Sequence, residues 1–411
     1  MMKFSKGNIA YLEENYGKNI LPLSIVENDR FPGSAPMEVF LYYKKGTPLE
    51  KLEECFFKTV EHYNLFSSRL IMIDDNKFAL QYCKNGVVTS ILPPVKVASN
   101  NLNVEDIKKM MTHVQTLPGE PLFAITGIPI EDGMLGALSC SHAICDGIAF
   151  MIFLHAWGCI IEGRDFPIPS PQRLFQGNPI SFDKIDKAFI PPLHALSDKI
   201  QNKVKRNSNL KTYTKREYFS DDFLNDCKNE ARSEKEDFLI SNNQIVISFL
   251  LKKYHKHLLP HTDRIILKNP VNFRDVLPDI DFLYIGNAVF DSFTEFTKDE
   301  IDRMTIPQIS YRLKESIANM RSESYVREIV YLSKYGLEFK PDAYKKNYPP
   351  YDVETDIFSA NLTHLSDLES LGLGTNAGSI LYLGLPLQTG FTMLKEKSGR
   401  MFAQITSRYP F

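Results

Sequence analysis

Little in this sequence ties it to nucleic acid, a membrane or a disulfide scaffold. Its 48 Lys and Arg stand against 50 Asp and Glu, a formal net charge of −2, so no overall field draws the chain onto a polyanion. Six cysteines in 411 residues, at 55, 83, 140, 145, 159 and 227, are too few for a disulfide framework and form no C-x-x-C pair, which also argues against a structural zinc site. Most lie in apolar runs, so reduced, buried thiols and a cytoplasmic location are expected. The opening stretch MMKFSKGNIAYLEENYG lacks the apolar core of a secretory leader, and none is expected. The most apolar run, 147–161, is shorter than the roughly 18–20 residues of a membrane span and contains His155. No Gly-rich loop precedes a helix in a phosphate-cradling pattern. His255, His257 and His261 are close in sequence, but the first two cannot share a helical face and Pro260 breaks the helix before the third. They read as the polar end of a helix, and no metal is expected.

What is present is apolar material for a large core, 43% of residues, in a mixed α and β pattern. At roughly 150 residues per domain the length suggests two or three domains. PMEVFLYY (36–43) reads as a strand. Thr47, Pro48 and Glu50 open a helix whose Leu52, Phe56, Val60 and Tyr63 share one face. Strand-like runs follow at 68–73, 77–83 and 86–92, and 122–130 and 134–142 form a hairpin across Glu131-Asp132-Gly133. The run 147–161 reads as a buried helix. A proline-rich stretch then leads to a basic segment, 199–216, expected as a solvated loop between domains. Beyond it, Ser241 and Gln244 cap one helix, Thr305, Pro307 and Gln308 open another, and short strands follow at 264–274, 356–362, 379–386, 390–396 and 401–407.

The string SCSHAICDGIAF (139–150) carries the chemistry. It places His142 and Asp146-Gly147 as H-x-x-x-D-G at a turn between a strand and a helix. An imidazole near pKa 6.5 suits a general base at neutral pH. Asp146 has two open readings: a helix N-cap, or a buried charge paired with a distant cation. On this string alone, His142 reads as a satisfied structural histidine and Gly147 as an ordinary turn glycine.

The string resembles the signature of the acyl-CoA-dependent acyltransferases typified by chloramphenicol acetyltransferase, a superfamily that includes the BAHD acyltransferases and the condensation domains of peptide synthetases. LPLSIVENDRF (21–31), LEECFFKTVEHYNLFSSRL (52–70), the helix with Trp157, and NPVNFRDVLPDIDFLYIGNAVF (269–290) resemble further BAHD segments, in family order. Position 141 is Ser, where condensation domains carry a second histidine. The D-F-G-W-G signature is absent, and LGLGTNAGS (371–379) stands in its region.

The resemblance implies an α/β fold of two chloramphenicol-acetyltransferase-like subdomains, 1–178 and 216–411. Each has a mixed sheet flanked by helices, 179–215 is the crossover between them, and the site channel lies at their interface. It implies His142 as general base in direct acyl transfer. Asp146 would pair with Arg274 to hold the loop, and Gly147 would let the backbone turn closely. Asn361 and Thr363, on the strand FSANLTHL with Ser359, would be the oxyanion donors. The co-substrate would be acyl-CoA or a carrier-protein thioester, the acceptor a small-molecule hydroxyl or amine of secondary metabolism, and the enzyme a monomer with no permanent cofactor. Two rivals stand beside this reading. A non-catalytic relative would bind an acyl compound or a partner protein. A Cys-dependent hydrolase would use Cys145, three residues after His142, and would trap an acyl-Cys.

Overall fold

The computed structural model describes residues 19–44, 49–74, 77–83, 86–166, 168–169, 180–181, 192–208, 211–234, 238–277, 280, 282–340, 342–343, 351–363, 377–384, 389–395 and 399–411. In the first half the order is β1 (Asn19–Pro22), α1 (Ile25–Arg30), β2 (Met37–Lys44), α2 (Leu49–His62), β3 (Ser68–Asp74), β4 (Lys77–Tyr82), β5 (Val87–Ile91), α3 (Val104–Met110), β6 (Phe123–Ile130), β7 (Gly133–Cys140), α4 (Gly147–Glu162), β8 (Ile180–Ser181) and α5 (Asp198–Ser208). The second half follows with β9 (Tyr213–Phe219), α6 (Asp221–Glu234), α7 (Asn242–Leu258), β10 (Arg264–Asn272), β11 (Val289–Thr297), α8 (Lys298–Arg303), α9 (Ile306–Met320), α10 (Glu323–Phe339), β12 (Asp356–Asn361), β13 (Ala377–Gly384), β14 (Gly390–Lys395) and β15 (Met401–Ser407).

Each half is built on a mixed sheet. The first has five strands in the order β13-β2-β7-β6-β5, and the second six in the order β11-β10-β12-β14-β15-β9. Antiparallel pairs dominate, but β5 runs parallel to β6, and β12 runs parallel to both β10 and β14. The hairpin expected across 131–133 forms β6 and β7, which pair in register from Phe123 with Cys140 to Ile130 with Gly133. The strands expected at 68–73 and 77–83 are β3 and β4, and they join β1 and β8 in a smaller antiparallel sheet, β3-β4-β1-β8, whose assembly had no counterpart in the sequence reading. Nor did the exchange by which β13, late in the chain, pairs antiparallel with β2 of the first half.

The apolar run 147–161 is α4, and its all-round hydrophobicity has a packing reason. Phe150, Phe153 and Trp157 meet Phe56 of α2, Phe66 and Phe123 in a nest of rings, with Phe66 and Phe153 only 4.2 Å apart. The indole N–H of Trp157 donates to the Leu52 carbonyl at 3.2 Å, so its one polar atom is satisfied inside the core. Gly163 ends α4 with φ of 70°, the left-handed cap that favours glycine. In the second half, α7 starts at the expected capping box of Ser241 and Gln244, and α9 at that of Thr305 and Gln308. Both pack on one face of the six-stranded sheet. Thr47 and Pro48, expected to open α2, lie outside the described residues.

The basic segment differs from the expected solvated loop. Most of it is α5, whose Ile200 is buried in the first-half core, and its end is β9. Lys199 pairs with Asp29, and Lys203 donates to the carbonyls of Asp29 and Arg30. These lysines hold α1 from the side. The expected polar helix end forms, with His255, Lys256 and His257 in the last turn of α7, but His255 itself faces inward. It is 2% exposed, and its Nδ1 bonds the Leu251 carbonyl at 2.9 Å.

Candidate active site at the junction of the two halves

The site begins at the end of β7, a central strand of the five-stranded sheet. Beyond Cys140 the chain enters a turn that Ser141 organises. The Ser141 backbone N–H reaches Leu122, its carbonyl accepts from Ile144, and its hydroxyl accepts the Ala143 N–H at 3.1 Å and bonds Thr116. This gives the serine at 141, noted in the sequence only as a missing histidine, a structural task. The turn delivers His142 to the junction and ends on Asp146, which opens α4.

Asp146 fills both of the roles left open by the sequence. Its Oδ1 accepts the Ala149 N–H at 2.9 Å as N-cap and also Nη2 of Arg274 at 3.0 Å. Its Oδ2 accepts Nη1 of Arg274 at 2.8 Å and the Ala288 N–H at 2.8 Å. The ion pair is buried, with side chains 5% and 0% exposed. Such a pair overcomes desolvation only when its other hydrogen-bonding positions are filled. Here they are: the guanidinium also donates to the carbonyls of Tyr284 and Gly286 and to Oδ1 of Asn272. Arg274 follows β10 and Ala288 precedes β11, so one carboxylate ties the His142 turn to the second half. Asn287 adds a second tie, its Nδ2 donating to the His142 carbonyl at 2.9 Å and to Oε1 of Glu27 at 3.2 Å.

His142 itself is half-buried. Its ring hydrogen-bonds the backbone of Cys145 and stacks against Phe31, with centroids 5.8 Å apart and planes 10° apart. Burial pushes the imidazole down to about 4, against the opposing field of Asp146, with Arg30 adding to the depression. The ring is therefore neutral at pH 7 and has a lone pair available.

The remaining expected residues behave differently. Gly147 has no positive φ, and a Cβ there would meet nothing within 4 Å. The backbone therefore does not demand glycine at that point, contrary to expectation, and the residue borders open space. Strand β12 ends at Asn361, so Thr363 lies past it and does not share a strand face with Ser359 and Asn361. Ser359 is buried and bonds Asn269, whereas Asn361 is exposed and its Oδ1 accepts from Thr363 N–H and Oγ1 at 3.1 and 2.8 Å. Cys145 is fully buried in the first-half core. Among the described residues, no group of three His, Cys, Asp or Glu is placed to hold a metal ion, and no helix is long and apolar enough to cross a membrane.

Sequence reasoning missed Glu27, Arg30, Phe31 and Asp291. Glu27 alone left a local signal, its place three residues after Ser24, which makes a capping box. The other three become site residues only through contacts between distant segments.

The Transferase family model matches residues 10–346 of the chain. Among curated relatives, the spermidine coumaroyl-CoA acyltransferase of Arabidopsis thaliana is 22% identical over 349 residues, covering 75% of this chain and 70% of the relative. The spermidine sinapoyl-CoA acyltransferase of the same plant is 25% identical over 262 residues, covering 57% and 54%. Among solved structures, F. sporotrichioides TRI101 complexed with coenzyme A and T-2 superposes with a TM-score of 0.66 at 14% identity, over 94% of this chain and 95% of that one. Vinorine synthase follows at 0.62 and 14% over 94% and 90%, and the condensation domain of the polyketide synthase MokA at 0.58 and 9% over 94% and 92%. At these identities the structures speak for the fold, the two-domain chloramphenicol-acetyltransferase-like architecture. The family match spans well over half of the sequence, and the chain belongs to the Transferase (BAHD) family of acyl-CoA-dependent acyltransferases.

Proposed function

We propose that the chain transfers an acyl group from a CoA thioester to a hydroxyl or amine of a small molecule, with His142 as general base and no acyl-enzyme. The observation that carries this is a neutral, half-buried imidazole on a turn clamped by Asp146 to the opposite half. In this reading His142 takes the proton from the acceptor O–H or N–H as that heteroatom attacks the thioester carbonyl. The C–S bond of the tetrahedral intermediate then breaks, and the imidazolium returns the proton to the leaving thiolate. Asn361, through Nδ2, and Thr363, whose hydroxyl would have to turn away from Asn361 Oδ1, remain the proposed donors to the oxyanion. Asp146 and Arg274 touch no reacting atom here; they keep the base in place.

Two relatives are named for acyl transfer to spermidine, which favours an amine acceptor and makes polyamines the first class to test. The experiment is thiol release over a panel of aromatic and aliphatic acyl-CoAs, with polyamine and hydroxyl acceptors, and mass spectrometry of the products. Acceptor-dependent release that is lost in His142→Ala supports the reading. No release with any donor and acceptor, or full release by His142→Ala, sinks it.

A further inference from the structure

Arg30 is the last residue of α1 and Phe31 its C-cap, and the Phe31 ring sits against the proposed base. The Phe31 ring lies nearly parallel to the imidazole of His142 at an offset-stacking distance. Nη2 of Arg30 is 2.5 Å from Oδ2 of Asp291 on β11, a contact between the two halves. The pair is only partly exposed, at 35% and 17%. A six-residue helix has little stability of its own, yet α1 is fixed on several sides. Ser24 and Glu27 cap its start, Asn287 reaches Glu27, and Lys203 donates to the carbonyls of Asp29 and Arg30 at its end. Its apolar side, with Val26, packs against Val326 and Ile329 of α10. A segment held this firmly ends in an aromatic face stacked on the ring of His142 and, next to it in the chain, a cation whose charge reaches the ring.

We infer that the Arg30–Phe31 end of α1 is a positioning arm for His142, in which Phe31 fixes the plane of the imidazole and Arg30, anchored by Asp291, sets its basicity. The inference rests on the proposed role of His142 as base. The charged groups acting on the ring are Arg30 from α1, Asp291 from β11 and Asp146 from its own turn. Arg30 disfavours the imidazolium, whereas Asp291 and Asp146 favour it. Asp146 is committed to Arg274 and to α4, so the Arg30–Asp291 pair is the adjustable element. While paired, the two fields oppose each other at the ring, and either charge left alone acts without its counterweight.

The test is the pH dependence of kcat/KM for thiol release, together with the His142 titration followed by NMR, in variants whose folding is checked by circular dichroism. Arg30→Ala is expected to move the acid limb to higher pH by about half a unit or more, Asp291→Asn to move it lower, and the double variant to return towards wild type. Arg30→Lys should retain the wild-type limb. Phe31→Ala is expected to lower kcat about tenfold with KM little changed, and Phe31→Tyr to restore it. Limb shifts of opposite sign are the deciding result, since a merely structural role would not produce them. His142→Ala is run alongside: full activity there removes the base assignment itself. If His142→Ala is inactive while the folded Arg30 and Asp291 variants keep the wild-type limb, or shift it in one direction, the positioning arm is overturned and the base assignment stands.

Discussion

Asp146 and Arg274 lie 128 residues apart in the chain and meet in a two-point ion pair at 2.8 and 3.0 Å, with the arginine side chain fully buried. The pair is both the cap of α4 and the bolt between the two halves. Removing one partner leaves the other charged, buried and unpaired. Arg274→Ala is therefore expected to destabilise the protein by about 3–5 kcal/mol. Arg274→Lys restores a charge but not the planar fork and should recover only part of the loss. Urea unfolding of both variants checks this; equal midpoints for Arg274→Ala and wild type would contradict it.

Cys145 is fully buried, and its neighbour in function is the turn, not a substrate. Cys145→Ala is expected to cost some stability through lost packing, of order 1 kcal/mol, and to leave turnover within about twofold of wild type. Intact-mass spectrometry during turnover should show no acyl adduct on Cys145. An adduct that forms and decays at the catalytic rate would instead make the enzyme a thiol acyl-carrier.

His142 gives a stability signature separate from catalysis. Its folded-state pKa is depressed to about 4 by burial, while the unfolded ring titrates near 6.5. Between those values the unfolded chain binds more protons than the native one, so stability rises with pH across that window. The contribution is complete above about pH 6.5 and lost as pH falls to about 4. Unfolding free energies measured at intervals from pH 4 to 7 should show a slope that His142→Gln flattens in that range.

Gly286 sits where three contacts converge. Its φ is +153°, and a Cβ there would fall 2.7 Å from the Tyr284 hydroxyl. Its carbonyl accepts from Arg274 Nη2 and from the Asp146 N–H, and Tyr284 supplies another carbonyl to the same guanidinium. Gly286→Ala is expected to displace Tyr284, cost about 1–3 kcal/mol, and lower turnover by loosening the His142 turn. A thermal melt and a thiol-release assay on the same preparation measure both effects.

The local signals read well from sequence for a physical reason. Ser241 with Gln244 and Thr305 with Gln308 are caps whose partners lie three residues away, and the 131–133 hairpin closes over neighbouring residues. Here the free energy depends on nearby chain, so the pattern is written there. The H-x-x-x-D-G string was equally legible, and resemblance supplied the pairing of Asp146 with Arg274. The expected need for glycine at 147 was not found, because neither φ nor crowding requires it. Thr363 was placed on a strand that ends two residues earlier.

What the chain alone determined, then, was the locally capped helices and many of the strands, the near-neutral overall charge, and the residues able to do acid–base and ion-pair chemistry. Only the tertiary structure decided that β13 completes the first-half sheet, that the basic segment folds as a helix bracing α1, and that Phe31 stacks on His142 while the neighbouring Arg30 pairs with Asp291. These are contacts between segments far apart in sequence. Loop closure over such distances leaves no local periodicity, and their stability comes from packing and charge neutralisation that exist only once both halves are assembled.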